Sequence, residues 1–176
     1  ITLAFGAKKP CHLLYPARAY CGDVHLMDVR IADAAILAQQ PQTFENGPAL
    51  WGGIFPQARF DQHKYSRGAV AIVAGPPLAT GAARLAARAS LRVGAGAVTL
   101  FAEPRAAAEC AAHSTSVMVR AIEAPSSFAD ALAGARLKSV VVGPGGGVGE
   151  WTKSQVSVVA QSAAAGVYDA DALTSF

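Results

Sequence analysis

A glycine-rich loop is the first feature of this chain whose residue types and spacing could do chemistry. The loop GPGGGVGE, residues 143–150, follows an apolar run and precedes a segment with helical spacing. Glycines there let backbone N–H groups approach an anion, and a helix start adds the positive end of a dipole. The loop matches neither G-x-G-x-x-G nor a G-K-[ST] ending. The pattern predicts either close backbone contact with a polar or phosphorylated ligand, or a tight turn without a ligand.

Three further residues could contact a ligand. Gly81 lies in the first turn of a predicted helix, where glycine suggests that a ligand or another backbone comes close. Asp169 and Asp171, in YDADAL, stand two residues apart and could hold a cation or orient a hydroxyl group. A helix start can also tolerate glycine, and aspartates are common in turns and caps, so the purely structural explanations stay open.

The cysteines and histidines form no recognisable site. Cys11, Cys21 and Cys110 include no C-x-x-C pair, and the four histidines make no ligand cluster with them. A disulfide framework and a structural zinc site are therefore not expected, whereas reduced thiols in a cytoplasmic protein are. No histidine stands beside a serine, cysteine or acidic partner in a pattern typical of nucleophilic catalysis.

Composition excludes several classes of protein. Of the 176 residues, 52% are apolar and only 15% charged, so the chain can bury a core and is not expected to be disordered. The net charge of +3 is spread along the chain, which predicts no binding of nucleic acid or of an anionic membrane. The longest uncharged runs, 68–83 and 154–168, are broken by prolines or polar residues, and no secretory leader is recognisable.

Alternating strands and helices must position these residues. Four apolar runs predict strands, at 69–75, 97–102, 117–122 and 139–143. Helical spacing predicts helices over 80–94, 104–112, 126–135 and 151–166. This order predicts an α/β fold with right-handed crossovers and a mostly parallel sheet. Ligands bind beyond the carboxyl ends of such strands, which would bring residues 75–80, 143–150 and 169–171 to one edge.

The first of these helices shows two distinct faces. Thr80 is the predicted N-cap and Gly94 the predicted stop. Ser126 or Ser127 is predicted to cap the helix over 126–135 in the same way. In the first helix, arginines recur at every fourth position along one face, and the predicted core face is the apolar stripe Ala82, Leu85, Ala86, Ala89 and Val93.

The front of the chain forms a separate unit in this prediction. Residues 1–5, 12–16 and 23–31 suggest three short extended pieces, which cannot bury much surface by themselves. Residues 39–60 contain several prolines and glycines without sustained periodicity, and they predict a linker or else a long surface loop. The predicted organisation is a front unit over 1–38, a linker over 39–60 and a second domain over 61–176.

Four segments in order resemble the ADP- or ATP-dependent NAD(P)H-hydrate dehydratases. They are HKYSRGAVAIVAG (63–75), TGAARLAARASLRVGAGAVTLF (80–101), VVVGPGGG (140–147) and YDADAL (168–173). The resemblance implies a ribokinase-like layered fold. Residues 1–31 resemble the closing strands of the NAD(P)H-hydrate epimerase domain, a second α/β domain that bacteria commonly fuse ahead of the dehydratase.

The resemblance implies repair of hydrated NADH and NADPH. The epimerase interconverts the two hydrate epimers, and the dehydratase uses ADP or ATP with Mg²⁺ to phosphorylate the added hydroxyl and then eliminates phosphate. The family's substrate-contacting glycines correspond to Gly81 and Gly145, and we assign Asp169 and Asp171 to the same substrate site. Thr2 is the best match to a potassium ligand of the epimerase. A cytoplasmic homo-oligomer is expected.

Parts of the family pattern fall outside this chain. The epimerase substrate loop would precede Ile1, and the nucleotide site and the catalytic aspartate would follow Phe176, so no catalytic residue is assigned within the chain. The chain thus resembles an internal section of a bifunctional enzyme. A ribokinase-like sugar or vitamin kinase and a non-catalytic nucleotide-binding module are the alternatives, which fold analogy cannot separate. The epimerase-like front piece favours the repair enzyme.

Overall fold

The computed structural model describes residues 1–134 and 137–176. They fall into two units, Ile1–Pro56 and Gln57–Phe176. Among the described residues, none of the helices has the length and apolarity that a membrane crossing requires.

The first unit is built on two short parallel strands. Strand β1 (Thr2–Phe5) pairs with β2 (Val24–Met27). The prediction of an extended piece over 12–16 is wrong, because the chain there connects two short 3₁₀ helices, Pro10–His12 and Ala17–Tyr20. A parallel pair needs a crossover between its strands, and this segment supplies it. Two short helices follow, α1 (Asp33–Leu37) and α2 (Pro48–Trp51).

The second unit contains a fully parallel five-stranded sheet, which confirms the predicted α/β class. Its strands are β3 (Ala69–Val73), β4 (Ala97–Ala102), β5 (Met118–Ala121), β6 (Leu137–Val142) and β7 (Ala165–Tyr168). They lie in the order β5-β4-β3-β6-β7. The chain therefore builds outward from β3 in one direction and from β6 in the other. The sheet has its topological switch point between these two neighbours.

Helices cover both faces of this sheet. They are α3 (Gly81–Val93), α4 (Pro104–Ala112), α5 (Pro125–Ala133), α6 (Glu150–Ala160) and the short α7 (Asp171–Thr174). Alternate residues of β3 enter two separate cores: Ile72 packs with the residues of α3 and α4, and Val73 packs with those of α5 and α6. This period of two is what a strand buried on both sides requires.

The helix ends follow the sequence signals in part. Pro104 occupies the first turn of α4, and Gly94 ends α3 with φ 120°. The prediction that Ser126 or Ser127 caps α5 is wrong, because Ala124 occupies the N-cap and both serines lie inside the helix. The Ser127 hydroxyl oxygen nevertheless accepts the N–H of Ala124 at 3.1 Å. Thr80 precedes α3 but makes no capping hydrogen bond through its side chain. The predicted end of the α5 segment, Ala135, lies outside the described residues.

The predicted core face of α3 is wrong. Ala83 and Ala87 are fully buried against the sheet, whereas Leu85 and Val93 are 66% and 65% exposed. Both stripes have helical spacing, so the periodicity alone cannot choose between them. The sheet presents bulky side chains such as Leu100 to the helix. The alanine stripe packs against them because small side chains let the helix approach the sheet closely.

The last predicted helix is too long. Helix α6 ends at Ala160, and residues 165–166 belong to β7 instead of the predicted helix over 151–166. Strand β7 pairs in parallel with β6, so the chain must leave the helix and return along the sheet. The Tyr168 ring fills the space that a side chain at Gly166 would need.

Candidate functional site

The loops that follow β3, β6 and β7 meet at the carboxyl edge of the sheet. A Cβ on Gly75, after β3, would overlap the carbonyl oxygen of Gly145, after β6. A Cβ on Gly143 would overlap the carbonyl oxygen of Asp169, after β7. The crevice at the switch point between β3 and β6 is the usual ligand site of a parallel sheet. The structure thus brings together the three segments that the sequence singled out.

Gly145 lies against the segment that leads into α3. A Cβ at this position would stand 2.9 Å from the Ala79 carbonyl oxygen and 3.6 Å from the Ala82 Cβ. Its φ of 66° is in the left-handed region, which L side chains rarely adopt. Local geometry therefore requires glycine at 145, whether or not a ligand approaches it.

Gly81 is different, because no feature of the described chain requires glycine there. It is exposed, it starts α3, and its φ lies outside the left-handed region. A Cβ on Gly81 would meet no described atom within 4 Å. Neither backbone conformation nor packing against the described residues requires glycine at this position. The missing side chain leaves open space at the edge where the three loops meet.

Asp171 holds the glycine-rich loop in place. Its Oδ2 accepts the N–H of Gly147 at 2.9 Å, across 24 residues of sequence. The Ser175 hydroxyl oxygen accepts the N–H of Gly149 at 3.3 Å, and the Gly143 carbonyl accepts that of Gly146 at 2.8 Å. Three of the amides that could have bound an anion thus have internal acceptors. The loop is a fixed wall of the site and not an open cradle for phosphate.

Thr152 fixes the same loop from α6. Its side chain is 2% exposed, and its hydroxyl lies within hydrogen-bond distance of the Gly146 and Gly147 carbonyls. Sequence analysis did not identify this residue. A threonine in the first turn of the helix after a glycine loop is the signal that could have found it, because such hydroxyls bond to nearby backbone groups.

Asp169 presents the more accessible of the two carboxylates. Its backbone N–H donates to the Val142 carbonyl at 3.1 Å, which fixes the turn after β7. Within the described residues its carboxylate makes no ion pair. The next residue, Ala170, has φ 44°, a strained conformation of the kind that clusters at functional sites. Asp169 is therefore free to accept a hydrogen bond from a ligand, whereas Asp171 serves the loop.

Thr2 lies in the first unit, where it could contribute to a cation site. Its hydroxyl donates to the Cys21 carbonyl at 2.6 Å, and its backbone N–H donates to the Asp23 carbonyl at 2.8 Å. The hydroxyl and the Cys21 carbonyl place two neutral oxygens side by side, which fits a weakly bound monovalent cation only in part. The described residues contain no group of three or more His, Cys, Asp or Glu side chains arranged for a metal.

The HKYSRG segment, residues 63–68, belongs to the opposite edge of the sheet. A Cβ on Gly96 would overlap the Lys64 carbonyl oxygen, and the Gly96 N–H donates to the Gly68 carbonyl at 2.9 Å. Both contacts lie at the amino ends of β3 and β4. The segment is a turn packed on Gly96, the residue that precedes β4, and it does not reach the candidate site.

Comparison with known proteins identifies relatives of this chain. The Carb_kinase family model, described as NAD(P)H-hydrate dehydratase, matches residues 70–176. A bifunctional NAD(P)H-hydrate repair enzyme of Coxiella burnetii is 33% identical over 98% of this chain and 35% of its own length. An ATP-dependent (S)-NAD(P)H-hydrate dehydratase of Ixodes scapularis is 34% identical over 68% of this chain and 39% of its own length. The chain thus spans about a third of the length of the curated relatives it matches.

Solved structures agree on the fold. A ribokinase-like superfamily protein from Enterococcus faecalis superposes with a TM-score of 0.59, over 69% of this chain and 43% of that one. An ADP/ATP-dependent NAD(P)H-hydrate dehydratase from Bacillus subtilis, co-crystallised with ATP and Mg²⁺, superposes with a TM-score of 0.55, over 67% of this chain and 42% of that one. Both are 22% identical to this chain, and they confirm the ribokinase-like fold. Because the family model matches more than half of its residues, the chain belongs to the NAD(P)H-hydrate dehydratase family.

Proposed function

We propose that this chain is part of an enzyme that repairs hydrated NADH and NADPH by nucleotide-dependent dehydration. Family membership supports the reaction. The observation that carries the proposal is the open space at Gly81, at the edge where three loops meet and where none of the described residues requires glycine. A ring of the substrate placed there would touch backbone atoms that a side chain at this position would cover.

The described residues have distinct roles in this proposal. Gly81 and Gly145 leave room for the hydrated nicotinamide ring. Asp169 accepts a hydrogen bond from a substrate hydroxyl, because its carboxylate lies in the adjacent turn. Asp171 is a positioning residue that acts through its bond to Gly147 and fixes one wall of the site.

The glycine-rich loop over residues 143–150 does not fit the phosphates of a nucleotide. Three amides of the glycine loop, those of Gly146, Gly147 and Gly149, already have internal acceptors. We therefore propose that the binding site for ADP or ATP with Mg²⁺, and the catalytic aspartate, are supplied by other parts of the full-length protein. The chain described here contributes the substrate-facing edge of the sheet.

The first unit supports a second activity in the proposal. We assign residues 1–38 to the end of an epimerase domain, 39–60 to a linker and 61–176 to the dehydratase domain. Thr2 would be one ligand of a potassium ion in the epimerase part. The bifunctional relatives, which match nearly the whole chain, support this arrangement. We further propose that the full-length protein is a cytoplasmic homo-oligomer that acts on a small molecule and binds neither nucleic acid nor membranes.

The test uses the full-length protein that contains this chain. Purified protein is incubated with NADPH hydrate and either ADP or ATP in the presence of Mg²⁺, and recovery of reduced-nicotinamide absorbance is followed. Nucleotide-dependent recovery is expected. A folded protein that gives no recovery but transfers phosphate from ATP to a sugar or vitamin would instead be a kinase of the same fold.

A further inference from the structure

An open groove runs along the outer side of α3. Its volume is about 900 Å³, and its lining extends from Gly81 at the start of the helix to Arg92 near its end. The other wall is the segment 113–117 between α4 and β5. An α-helix rises about 1.5 Å per residue, so the groove is about 16 Å long. It begins at the glycine that marks the proposed substrate edge.

One wall of the groove is strongly basic. Arg84, Arg88 and Arg92 line it at four-residue intervals, which places them on one helix face. None of the three makes an ion pair within the part of the chain that the structure describes. His113 lines the groove as well, and the Glu109 carboxylate, 3.9 Å from its Nε2, is the acidic group beside it. A concave surface with this excess of positive charge concentrates anions.

The remaining lining suits a nucleotide. Ser114, Thr115 and Ser116 bring three hydroxyl groups to the wall facing the arginines. Leu85, which is largely exposed, and Leu91 add aliphatic surface. Arginines and hydroxyls bind phosphate oxygens, and aliphatic side chains pack against a flat base, so the combination fits a ligand with phosphates and an aromatic ring.

We infer that this groove holds the adenosine diphosphate half of the dinucleotide hydrate, an inference that rests on the proposed function. A substrate with its nicotinamide end at Gly81 can extend along α3 and place its phosphates beside the arginines. NADH hydrate carries two phosphates, and NADPH hydrate carries a third on the adenosine ribose. The row of three arginines therefore favours NADPH hydrate over NADH hydrate.

The experiment compares substrates with and without the phosphates in the full-length protein. The test variants are Arg88→Gln, Arg92→Gln and the double variant. Arg67→Gln is the control, because it removes the charge of another exposed arginine, in the turn before β3. Each variant is assayed with NADPH hydrate and with the hydrate of reduced nicotinamide riboside, which has no phosphate. Thermal melting shows that each variant is folded.

The expected result is a rise in KM for NADPH hydrate of about tenfold per arginine, as for the loss of one charged hydrogen bond. The kcat is expected to stay unchanged, as are the KM for the riboside hydrate and all values for Arg67→Gln. An unchanged KM for NADPH hydrate in the active double variant would overturn the inference and leave the proposed function intact. If the wild-type protein dehydrates neither hydrate, the proposed function fails, and calorimetric binding of ADP-ribose then decides the groove separately. Binding weakened about tenfold or more in the double variant would support the groove, and unweakened or absent binding would overturn it.

Discussion

Replacing Gly81 by alanine should stabilise the protein and impair its activity at the same time. Gly81 is the first residue of α3, and an added Cβ would meet no described atom within 4 Å. Alanine is more favourable than glycine inside a helix by about 0.5–1 kcal/mol. Since Gly81 stands at the very start of the helix, we expect the lower part of this range, about 0.5 kcal/mol. For a protein of this size or larger, that corresponds to a rise in Tm of about 1–3 °C.

The effect on activity should have the opposite sign. If the substrate ring packs against Gly81, an added methyl group overfills the site, and overpacking costs about 1–3 kcal/mol. Because 1.4 kcal/mol is a factor of ten, kcat/KM for NADPH hydrate should fall about 5- to 150-fold in Gly81→Ala. Gly81→Leu should fall further, because its side chain fills more of the same space.

The assay pairs urea unfolding with steady-state dehydration in the full-length protein. Gly53→Ala is the matched control, because Gly53 also has ordinary φ and open space but lies in the first unit. It should leave kcat/KM unchanged. A folded Gly81→Leu variant with wild-type kcat/KM would show that no substrate approaches this glycine, and it would refute the assignment of the site.

The other predictions concern the supports of the site and one buried thiol. Gly75→Ala should lower the free energy of unfolding by about 1–3 kcal/mol, because the Cβ would overlap the Gly145 carbonyl; an unchanged urea midpoint would argue against this loop contact. Asp171→Ala should lower it by about 1–2 kcal/mol through loss of the bond to Gly147, and should reduce activity as well. Asp169→Ala should reduce activity without lowering the free energy of unfolding. Equal stability losses in the two aspartate variants would therefore contradict their separate roles. Burial raises the pKa of the Cys110 thiol above its usual 9.0, so unfolding is favoured as the pH rises above that value. The free energy of unfolding, measured in urea, should fall between pH 8 and pH 10, and it should fall less in Cys110→Ala than in the wild-type protein. An equal fall in both proteins would contradict the role of the thiol.

Much of the second unit was predictable because its three central strands, β3, β4 and β6, bury residues on both faces. Such strands appear as continuous apolar runs, and those of β3, β4 and β6 were identified from the sequence. Pro104 and Gly94 marked helix ends through their backbone chemistry. The core face of α3 was not predictable, because Ala83 and Leu85 belong to stripes of equal spacing and only the packed sheet selects the smaller one.

The candidate site was predictable in outline only. Parallel topology implied that the loops after the strands share an edge, and the structure brings them together. Sequence could not separate the roles of the two glycines. Gly145 is required by its φ of 66° and by the nearby Ala79 carbonyl, whereas no contact or φ among the described residues requires glycine at 81. It also could not assign Asp171, whose partner Gly147 lies 24 residues away. For this reason Gly145→Leu would disturb folding as well as binding, and it is a poorer probe than Gly81→Leu.

The central claim is that this chain forms the substrate edge of an NAD(P)H-hydrate dehydratase whose nucleotide site lies elsewhere in the full-length protein. The most direct measurement incubates NADPH hydrate, ADP or ATP and Mg²⁺ with the full-length protein and, in parallel, with residues 1–176 alone, and follows reduced-nicotinamide absorbance. We predict nucleotide-dependent recovery with the full-length protein and none with residues 1–176. No recovery with the folded full-length protein would contradict the function, and recovery with residues 1–176 alone would contradict the placement of the nucleotide site.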